Sequence, residues 1–385
     1  MHRCRSAILL SLLAVPLSAQ DPQAPSAAPA PASAPAAKPA AKPPQFWFGS
    51  YPDFMVQFDP GRDEIARKIK LQNGMPWGVT LLADKRRFAV ITDQQKKVEV
   101  VDIDAGAVTS VHDFSENDVI VRVRSVMEIP GGTQWYVRTD RVKKLPDRYE
   151  FEPSNYLLYD VAQKKVVRKL RRLPQILARG ARISPDGQTW HVFDRDGNLL
   201  VVDPKTLKET GKIDLMTPRF AGQGRLSIGR TDLFAGRDPK KYRMLCTLSD
   251  PVQHNRSSWG YVDIDLEHNT ISDLVEWGQG PGGFGTYVAR DAKVAAAMTG
   301  GFGDNDRDRK LTIQLYELET GKKLREFREE FRPRQPLSAI APDGSKLYVA
   351  GAGSDFQVFD CTTLQKVKTV ELDGEIYGQV YVLDG

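Results

Sequence analysis

The feature that most constrains the fold is a repeat that recurs seven times along the chain. In each copy an apolar strand ends at Asp or Glu, a short polar turn follows, and a second strand rich in Lys and Arg comes next. The acidic positions are Asp59, Asp102, Asp160, Asp203, Asp263, Glu317 and Asp360. Repeats of this length are typical of propellers, solenoids and other arrays, because one unit cannot bury its apolar face alone.

The spacing of the repeats selects one of these architectures. Successive acidic positions lie 43, 58, 43, 60, 54 and 43 residues apart, so 43 residues is the minimal unit. That length accommodates four short strands, three tight turns and one connection, which is the size of a propeller blade. The turns Pro185–Gly187 and Pro342–Gly344 have the chemistry expected between hairpin strands. The sequence therefore predicts an all-β, seven-bladed β-propeller over residues 46–385.

The two ends of this region predict how the ring closes. Residues 46–71 hold three strands before the second blade begins, and residues 377–383 hold a single strand after the seventh. Each end is therefore an incomplete unit. We expect the N- and C-terminal strands to share one blade, an arrangement that leaves no sheet edge exposed.

The turns also carry a family resemblance. SPDG at Ser184–Gly187 and APDG at Ala341–Gly344 each precede an apolar strand and then a strand that ends in Asp. In this respect the chain resembles YVTN-type and WD40-like bacterial propellers over roughly residues 46–385. The resemblance implies the fold. Such families include scaffolds, ligand binders, lactonases and dehydrogenase subunits, so the resemblance implies no single function.

The N-terminal region has a different composition. Arg3 and Arg5, a largely apolar stretch of nine residues and a small-residue site ending at Ala19 predict a signal peptide over residues 1–19. The apolar stretch is shorter than the roughly 20 residues that span a bilayer, so no stable membrane span is expected. Residues 20–45 are rich in Pro and Ala and predict a disordered linker, either a solvated tail or a spacer from a membrane or wall. The chain is expected to be secreted or periplasmic.

Charge and cysteine content narrow the classes of partner. Without the first 19 residues the formal net charge falls from +5 to +3, and the basic residues are spread over many turns. Nucleic-acid binders concentrate their basic residues, so no nucleic-acid partner is expected. Cys246 and Cys361 fall in blades five and seven, so we expect two free, buried thiols. No haem or metal motif is present, and no cofactor is expected.

Residues in excess of the 43-residue unit indicate a working surface. If the strands of a blade are A to D, the B-C loops and the D-A connections share one face of the ring, which we call the long-loop face. Most of the excess falls in the B-C loops of blades three, five and six and in two D-A connections: residues 140–153, 249–257, 300–309, 276–283 and 329–336. Loops on a rigid scaffold concentrate binding residues. Tolerated insertions without a role are the alternative.

The predicted loop of blade three provides the first group of candidate binding residues. It carries Arg141, Lys143, Lys144, Arg148 and Tyr149. Cationic side chains next to an aromatic ring suit a carboxylate, a phosphate or an acidic polymer. A solvated charged loop without a ligand has the same composition.

The predicted loop of blade five provides the best isolated candidate for proton transfer. His254 lies close to Arg256 and is suited to act as an acid or base. The sequence contains no HExxH, GxSxG or CxxCH pattern, so no nucleophile or metal site accompanies this histidine. A surface histidine without a role is the alternative.

The predicted loop of blade six carries three acidic candidates. Asp304, Asp306 and Asp308 have the spacing of oxygen ligands in calcium loops. However, Arg309 and Leu315 occupy the positions where an EF-hand loop has Gly and Glu. We therefore predict no metal here and retain the three carboxylates as candidates for contact with a partner.

Together these features favour a binding or interaction module that uses the long-loop face to hold an envelope or extracellular protein or a small ligand. The alternative is a propeller hydrolase or lactonase, or a non-haem subunit of an envelope oxidoreductase. Catalytic groups drawn from different blades would leave no local motif, so the question of an enzyme stays open. A third hypothesis is a structural part of a larger envelope assembly.

Overall fold

The computed structural model describes most of the region in which the repeats occur. The described residues are 43–129, 131–170, 181–184, 186–194, 196–206, 208–218, 223–232, 240–253, 256–272, 274–279, 284–285, 293–300, 310–330, 337–350 and 353–383. They belong to one unit, Ala41–Gly385. The predicted signal peptide and almost all of the predicted linker lie outside these residues.

Seven antiparallel sheets follow one another along the described chain. Blade one contains β1 (Gln45–Ser50), β2 (Phe54–Asp59) and β3 (Glu64–Lys70); blade two contains β4 (Gly78–Leu81), β5 (Arg87–Thr92), β6 (Lys97–Asp102) and β7 (Ala107–Asp113). Blade three contains β8 (Val119–Glu128), β9 (Gln134–Lys144), β10 (Tyr149–Asp160) and β11 (Lys165–Leu170); blade four contains β12 (Ala181–Ile183), β13 (Trp190–Phe193), β14 (Leu199–Val202) and β15 (Glu209–Ile213). A single 3-10 turn, Asp93–Gln95, connects β5 to β6.

The remaining blades follow the same order. Blade five contains β16 (Leu226–Asp232), β17 (Lys241–Ser249), β18 (Ser257–Asp265) and an outer edge divided into β19 (Thr270–Ile271) and β20 (Val275–Gln279). Blade six contains β21 (Phe284–Gly285), β22 (Val294–Gly300), β23 (Lys310–Glu317) and β24 (Lys323–Glu330). Blade seven contains β25 (Leu337–Ile340), β26 (Lys346–Ala350), β27 (Asp355–Asp360) and β28 (Lys366–Glu371), and β29 (Ile376–Leu383) ends the described chain.

The last strand closes the ring as the sequence predicts. β29 is the innermost strand of blade one, where it pairs with β1 in the order β29-β1-β2-β3. Phe46 lies opposite Val382, and Ser50 lies opposite Ile376. Both ends of the chain therefore contribute to one sheet, and the fold is a seven-bladed β-propeller with a fold-level resemblance to WD40-like proteins.

The core is divided among the contacts between neighbouring blades. The buried apolar side chains described by the structure form seven clusters, one for each adjacent pair of blades, including the pair of blades seven and one. In blade four, β13 and β14 are buried along their whole length because neighbouring blades cover both sheet faces. The outer strand β28 is mostly exposed and carries lysines, which discourage pairing with another sheet.

A network of polar contacts joins blade seven to blade one. Oη of Tyr348 lies 2.8 Å from the carbonyl oxygen of Pro60 and also bonds the carboxylate of Asp63, so its single hydrogen is shared between these two acceptors. The Asp63 carboxylate forms ion pairs with Lys346 at 2.6 Å and Lys368 at 2.9 Å. These contacts stabilise the junction at which the chain completes the circle.

The acidic residue of each repeat has a structural role, and blade five corrects one assignment. Asp203 and Asp360, for example, accept the backbone N–H groups two and three positions later, which satisfies the donors of the turn. In blade five Asp265 does this, not Asp263. The two carboxylates lie on the same side of β18, but only Asp265 stands at the strand end, and Asp263 instead pairs with Arg243.

Two predicted loops are strands. Residues 140–153 form the end of β9, a tight turn and the start of β10, because the paired strands continue beyond the usual blade length. Val275–Gln279, which overlaps the predicted connection 276–283, is β20 and pairs with β18. Loop length alone could not distinguish a flexible insertion from a longer hairpin.

The two cysteines of the propeller region, out of three in the sequence, behave as the sequence predicts. Cys246 and Cys361 are free and buried. Burial raises the pKa of each thiol to about 12. Both thiols are therefore protonated at neutral pH and pack as small apolar side chains.

Candidate functional site

The topology confirms which loops share a face of the ring. Consecutive strands in each blade are antiparallel, so the loop between the second and third strands and the connection to the next blade emerge at the same end. This is the long-loop face. The Asp-containing turns, between the third and fourth strands, lie on the opposite face.

Among the described residues, the end of blade three is the most extended structure on the long-loop face. β8, β9 and β10 contain 10, 11 and 12 residues, whereas β13 and β14 contain 4 each. The backbone N–H of Leu145 donates to the carbonyl oxygen of Arg148 at 2.8 Å and closes the turn. We call residues 140–153 the blade-three hairpin. Strand pairing continues to the turn beyond a register shift between Glu152 and Asn155, and it gives this hairpin a defined position relative to the ring.

Arg141 stabilises the blade-three hairpin from within. Its side chain is only 7% exposed, and its Nε donates to Oε2 of Glu152 at 3.0 Å. Both terminal nitrogens donate to the carboxylate of Glu116, and these bonds hold the pKa of Glu116 below its usual range. Because two carboxylates already satisfy its charge, Arg141 positions the hairpin and is not presented to solvent.

The other basic candidates of the hairpin are exposed. Lys143 lies 3.5 Å from a carboxylate oxygen of Glu152, and Arg148 lies 3.0 Å from Asp147. Surface pairs of this kind contribute little stability and exchange readily for other partners. Lys144 lies opposite Tyr149 across the strand pair, and no ion pair of Lys144 occurs among the described residues.

Phe151 is a candidate that the sequence analysis did not identify. Its side chain is 77% exposed, and Tyr149, two positions earlier on the same side of β10, is 57% exposed. Phe151 lies opposite Val142, which lies opposite Ile120, so the three side chains form a row across the sheet. In the sequence, Tyr149 and Phe151 alternate with charged residues, which indicates one face of a strand. The prediction of a loop over residues 140–153 hid this signal.

Exposed apolar side chains are unevenly distributed over the described surface. Six of the ten exposed large hydrophobic residues belong to the long-loop face: Tyr51, Trp77, Ile120, Tyr149, Phe151 and Val252. The other four, Val166, Val167, Leu324 and Val367, lie on the outer strands β11, β24 and β28. All four exposed aromatic residues are in the first group. The four on the outer strands stand at the start of the strand that follows an acidic turn, near the opposite face, and none of them is aromatic.

Trp77 on the long-loop face follows a segment whose backbone is held by a buried carboxylate. The carboxylate of Glu99 is fully buried and accepts bonds from the backbone N–H of Asn73 at 2.7 Å and from Oγ1 of Thr92 at 3.0 Å. The adjacent turn Asp93–Gln95 has positive φ at each residue, 48°, 51° and 72°. Consecutive left-handed residues other than glycine are costly and persist only where surrounding contacts hold them.

The candidates in blade five are only partly described. The backbone N–H of Asp250 donates to the carbonyl oxygen of Arg256 at 2.9 Å, and the backbone N–H of Arg256 donates to Gln253 at 2.7 Å, so this loop is folded back on itself. Arg256 is exposed on the long-loop face. His254 lies outside the described residues, so its proposed proximity to Arg256 stays a prediction.

The acidic candidates of blade six, Asp304, Asp306 and Asp308, also lie outside the described residues. Within the part of the chain that the structure describes, no group of three His, Cys, Asp or Glu side chains is arranged to hold a metal ion. In the same part, no helix has the length and apolar character needed to cross a membrane.

Comparison with known proteins supports the fold and leaves the function open. No family model and no curated protein matches the chain. A functionally unknown protein from Desulfotomaculum acetoxidans is 14% identical, with a TM-score of 0.50 over 88% of this chain and 98% of that one. Dihydro-heme d1 dehydrogenase NirN in complex with DHE is 15% identical, with a TM-score of 0.49 over 88% and 74%. The β-propeller domain of Myceliophteria thermophila Cps50 (Swd1) is 12% identical, with a TM-score of 0.46 over 84% and 98%.

Proposed function

We propose that this chain is a secreted or periplasmic binding module that holds a partner protein on its long-loop face. The observation that carries the proposal is the distribution of exposed aromatic residues, all four of which lie on this face among the described residues. Exposed apolar residues grouped on one surface are typical of interaction sites, and aromatic side chains contribute strongly to binding energy.

The blade-three hairpin provides the centre of this proposed surface. Phe151, Ile120 and Val142 form its apolar row, and Lys144 adds a cation on the same side of the sheet. Because strand pairing and the buried Arg141 fix the hairpin before binding, little conformational entropy is lost when a partner docks. An aromatic and aliphatic centre with a charged rim matches the composition of protein interfaces.

The proposed location depends on the N-terminal pattern. A basic start, an apolar stretch and a small-residue site would direct export, and the Pro/Ala-rich segment would then separate the propeller from its surroundings. Mass spectrometry of the protein from the envelope fraction tests this part. Cleavage after Ala19 supports export, whereas an intact N-terminus in the cytosolic fraction contradicts it.

Affinity capture tests the binding surface. The chain from residue 20 onward, here called the mature chain, is compared with a Tyr149→Ser, Phe151→Ser variant. A Leu324→Ser, Val367→Ser variant serves as the control because it removes similarly exposed residues from outer strands. Circular dichroism and thermal unfolding first establish that all three are folded. A protein retained by the mature chain and the control, but lost from the hairpin variant, supports the proposal. Equal retention by all three contradicts it.

A further inference from the structure

A cavity of about 430 Å³ opens on the long-loop face between blades four and five. One wall of the cavity is formed by Met216, Pro218 and Arg225, which belong to the connection from β15 to β16. The other is the loop after β17, represented by Ser249 and Pro251. This volume lies within the range of small-molecule sites. None of these residues belongs to the blade-three hairpin, so the cavity is separate from the surface proposed above.

Three polar side chains, the buried Asp194 and Asn198 and the exposed Asp214, hold the start of the first wall. Asn198 accepts the backbone N–H of Leu215 at 3.0 Å, and its amide donates to the buried carboxylate of Asp194 at 3.2 Å. Asp214 accepts the next two backbone N–H groups, those of Met216 and Thr217, each at 3.0 Å. Residues 215–217, with which the connection begins, are therefore held by these bonds.

The two walls are joined where they meet at the inner strand. The backbone N–H of Ser249 donates to the carbonyl oxygen of Arg225 at 3.0 Å. Gly224 approaches the same segment so closely that a Cβ atom there would lie 1.7 Å from the carbonyl oxygen of Ser249. Only glycine allows this approach, which brings the Arg225 side chain to the edge of the cavity.

The charges at the cavity are asymmetric. Arg225 is exposed, and its guanidinium makes no ion pair with any residue that the structure describes. On the facing wall, Oδ1 of Asp250 accepts the backbone N–H groups of Val252 at 2.8 Å and Gln253 at 2.7 Å. A guanidinium is suited to bind a carboxylate, and the opposite carboxylate would repel a second negative charge. Met216, Pro218 and Pro251 offer apolar contact between them.

We propose that this cavity binds a small organic monoanion. Its carboxylate pairs with Arg225, and its apolar body lies against Met216, Pro218 and Pro251. Among the residues that the structure describes, those of both walls are held by hydrogen bonds to the backbone before any ligand binds. The inference does not rest on the proposed protein partner, and a small ligand of this kind can bind whether or not the blade-three hairpin has a role.

Calorimetric titration of the mature chain with matched probes tests the site. The probes are 4-phenylbutyrate, the neutral 4-phenylbutanol, the cationic 4-phenylbutylamine and the dianionic phenylsuccinate. We expect 4-phenylbutyrate to bind about tenfold or more tightly than each of the others, because only this probe combines one negative charge with an apolar body. Arg225 is exposed, so the substitution Arg225→Gln should leave the fold intact and should remove the preference for 4-phenylbutyrate. The control Arg325→Gln, an exposed arginine on outer strand β24, should retain it.

Each alternative outcome is decisive. Similar binding of the acid, the alcohol and the amine shows that Arg225 does not select charge and overturns the proposal. Equal or tighter binding of phenylsuccinate removes the argument from Asp250 and overturns the monoanion specificity. If Arg225→Gln still prefers 4-phenylbutyrate to the other probes, the anion binds elsewhere, and the proposed site is overturned. No binding of 4-phenylbutyrate at millimolar concentration to the folded protein also overturns the proposal.

Discussion

Nδ1 of His112 lies 3.1 Å from Oη of Tyr159 across the contact between blades two and three. The other ring nitrogen, Nε2, lies 3.0 Å from Oγ of Ser110, and the ring packs edge-on against Trp135. The histidine is 1% exposed. Burial, with a smaller contribution from Lys164, lowers its pKa to about 4. A neutral histidine is therefore part of the core between two blades.

This arrangement makes the stability of the propeller sensitive to mild acid. The pKa of His112 in the folded protein, about 4, lies below the value of about 6.5 expected in the unfolded chain, so the unfolded chain takes up a proton first as the pH falls. The contribution of neutral His112 to the free energy of unfolding is therefore complete above about pH 6.5 and is lost as the pH falls through about 4. Urea unfolding of the wild type and His112→Gln should show their difference in unfolding free energy shrink by roughly 2 kcal/mol from pH 7 to pH 5. Parallel pH profiles would show that His112 does not titrate in this way.

Arg141 should matter for the blade-three hairpin and not for the ring. In Arg141→Gln the carboxylates of Glu116 and Glu152 lose their shared partner, so hydrogen exchange of Tyr149 to Glu152 should accelerate while blade seven keeps its protection. We expect the free energy of local opening of the hairpin to fall by about 1–3 kcal/mol, with little change in global stability. The matched variant Arg148→Gln, which loses only an exposed pair with Asp147, should exchange like the wild type. Equal effects of the two variants would refute the positioning role of Arg141.

The junction of blades seven and one can be tested at Tyr348. Tyr348→Phe removes the one hydroxyl hydrogen that the carbonyl oxygen of Pro60 and the carboxylate of Asp63 share. A loss of about 1–3 kcal/mol in unfolding free energy is expected. Tyr51→Phe is the control, because Tyr51 is 54% exposed, and its change should stay within about 0.5 kcal/mol. The result to look for in urea unfolding is the difference between the two variants, and its absence would mean that the junction does not depend on the hydroxyl.

The close approach of β20 to β18 in blade five requires glycine at position 260. A Cβ atom at Gly260 would lie 1.9 Å from the carbonyl oxygen of Val275 on β20, whereas a Cβ atom at Gly211 would meet the Val201 side chain at an ordinary 3.6 Å. We expect Gly260→Ala to lose about 2 kcal/mol or more, because β20 must move away from β18. Gly211→Ala should change stability by less than about 1 kcal/mol. If thermal and urea unfolding show the same loss of stability in the two variants, β18 and β20 do not approach each other this closely.

The fold could be predicted from sequence because the repeat has local physical causes. Asp residues at strand ends cap their own turns, as Asp203 and Asp360 do, and this recurs at the length of a blade. Closure by β29 followed from two incomplete ends. In blade five, Asp263 and Asp265 fit the same local pattern, and only the strand boundary, which depends on pairing with Thr270, distinguishes them.

The site was less predictable because its organisation depends on contacts between distant residues. Arg141 was expected to be available to a partner, but Glu116 lies 25 positions earlier, on a different connection. The row of Ile120, Val142 and Phe151 exists only because three strands have a particular register. The cavity beside Arg225 likewise requires two blades to meet. No local motif records any of these arrangements.

The most direct test of the proposed function is hydrogen exchange of the propeller alone and with the partner protein retained in the capture experiment. Docking on the long-loop face should protect the peptides that contain Tyr51, Trp77 and residues 149–151. The turns that begin at Asp203 and Asp360, on the opposite face, should exchange unchanged. Protection of those turns without protection of the blade-three hairpin would contradict the proposal that the long-loop face is the binding surface.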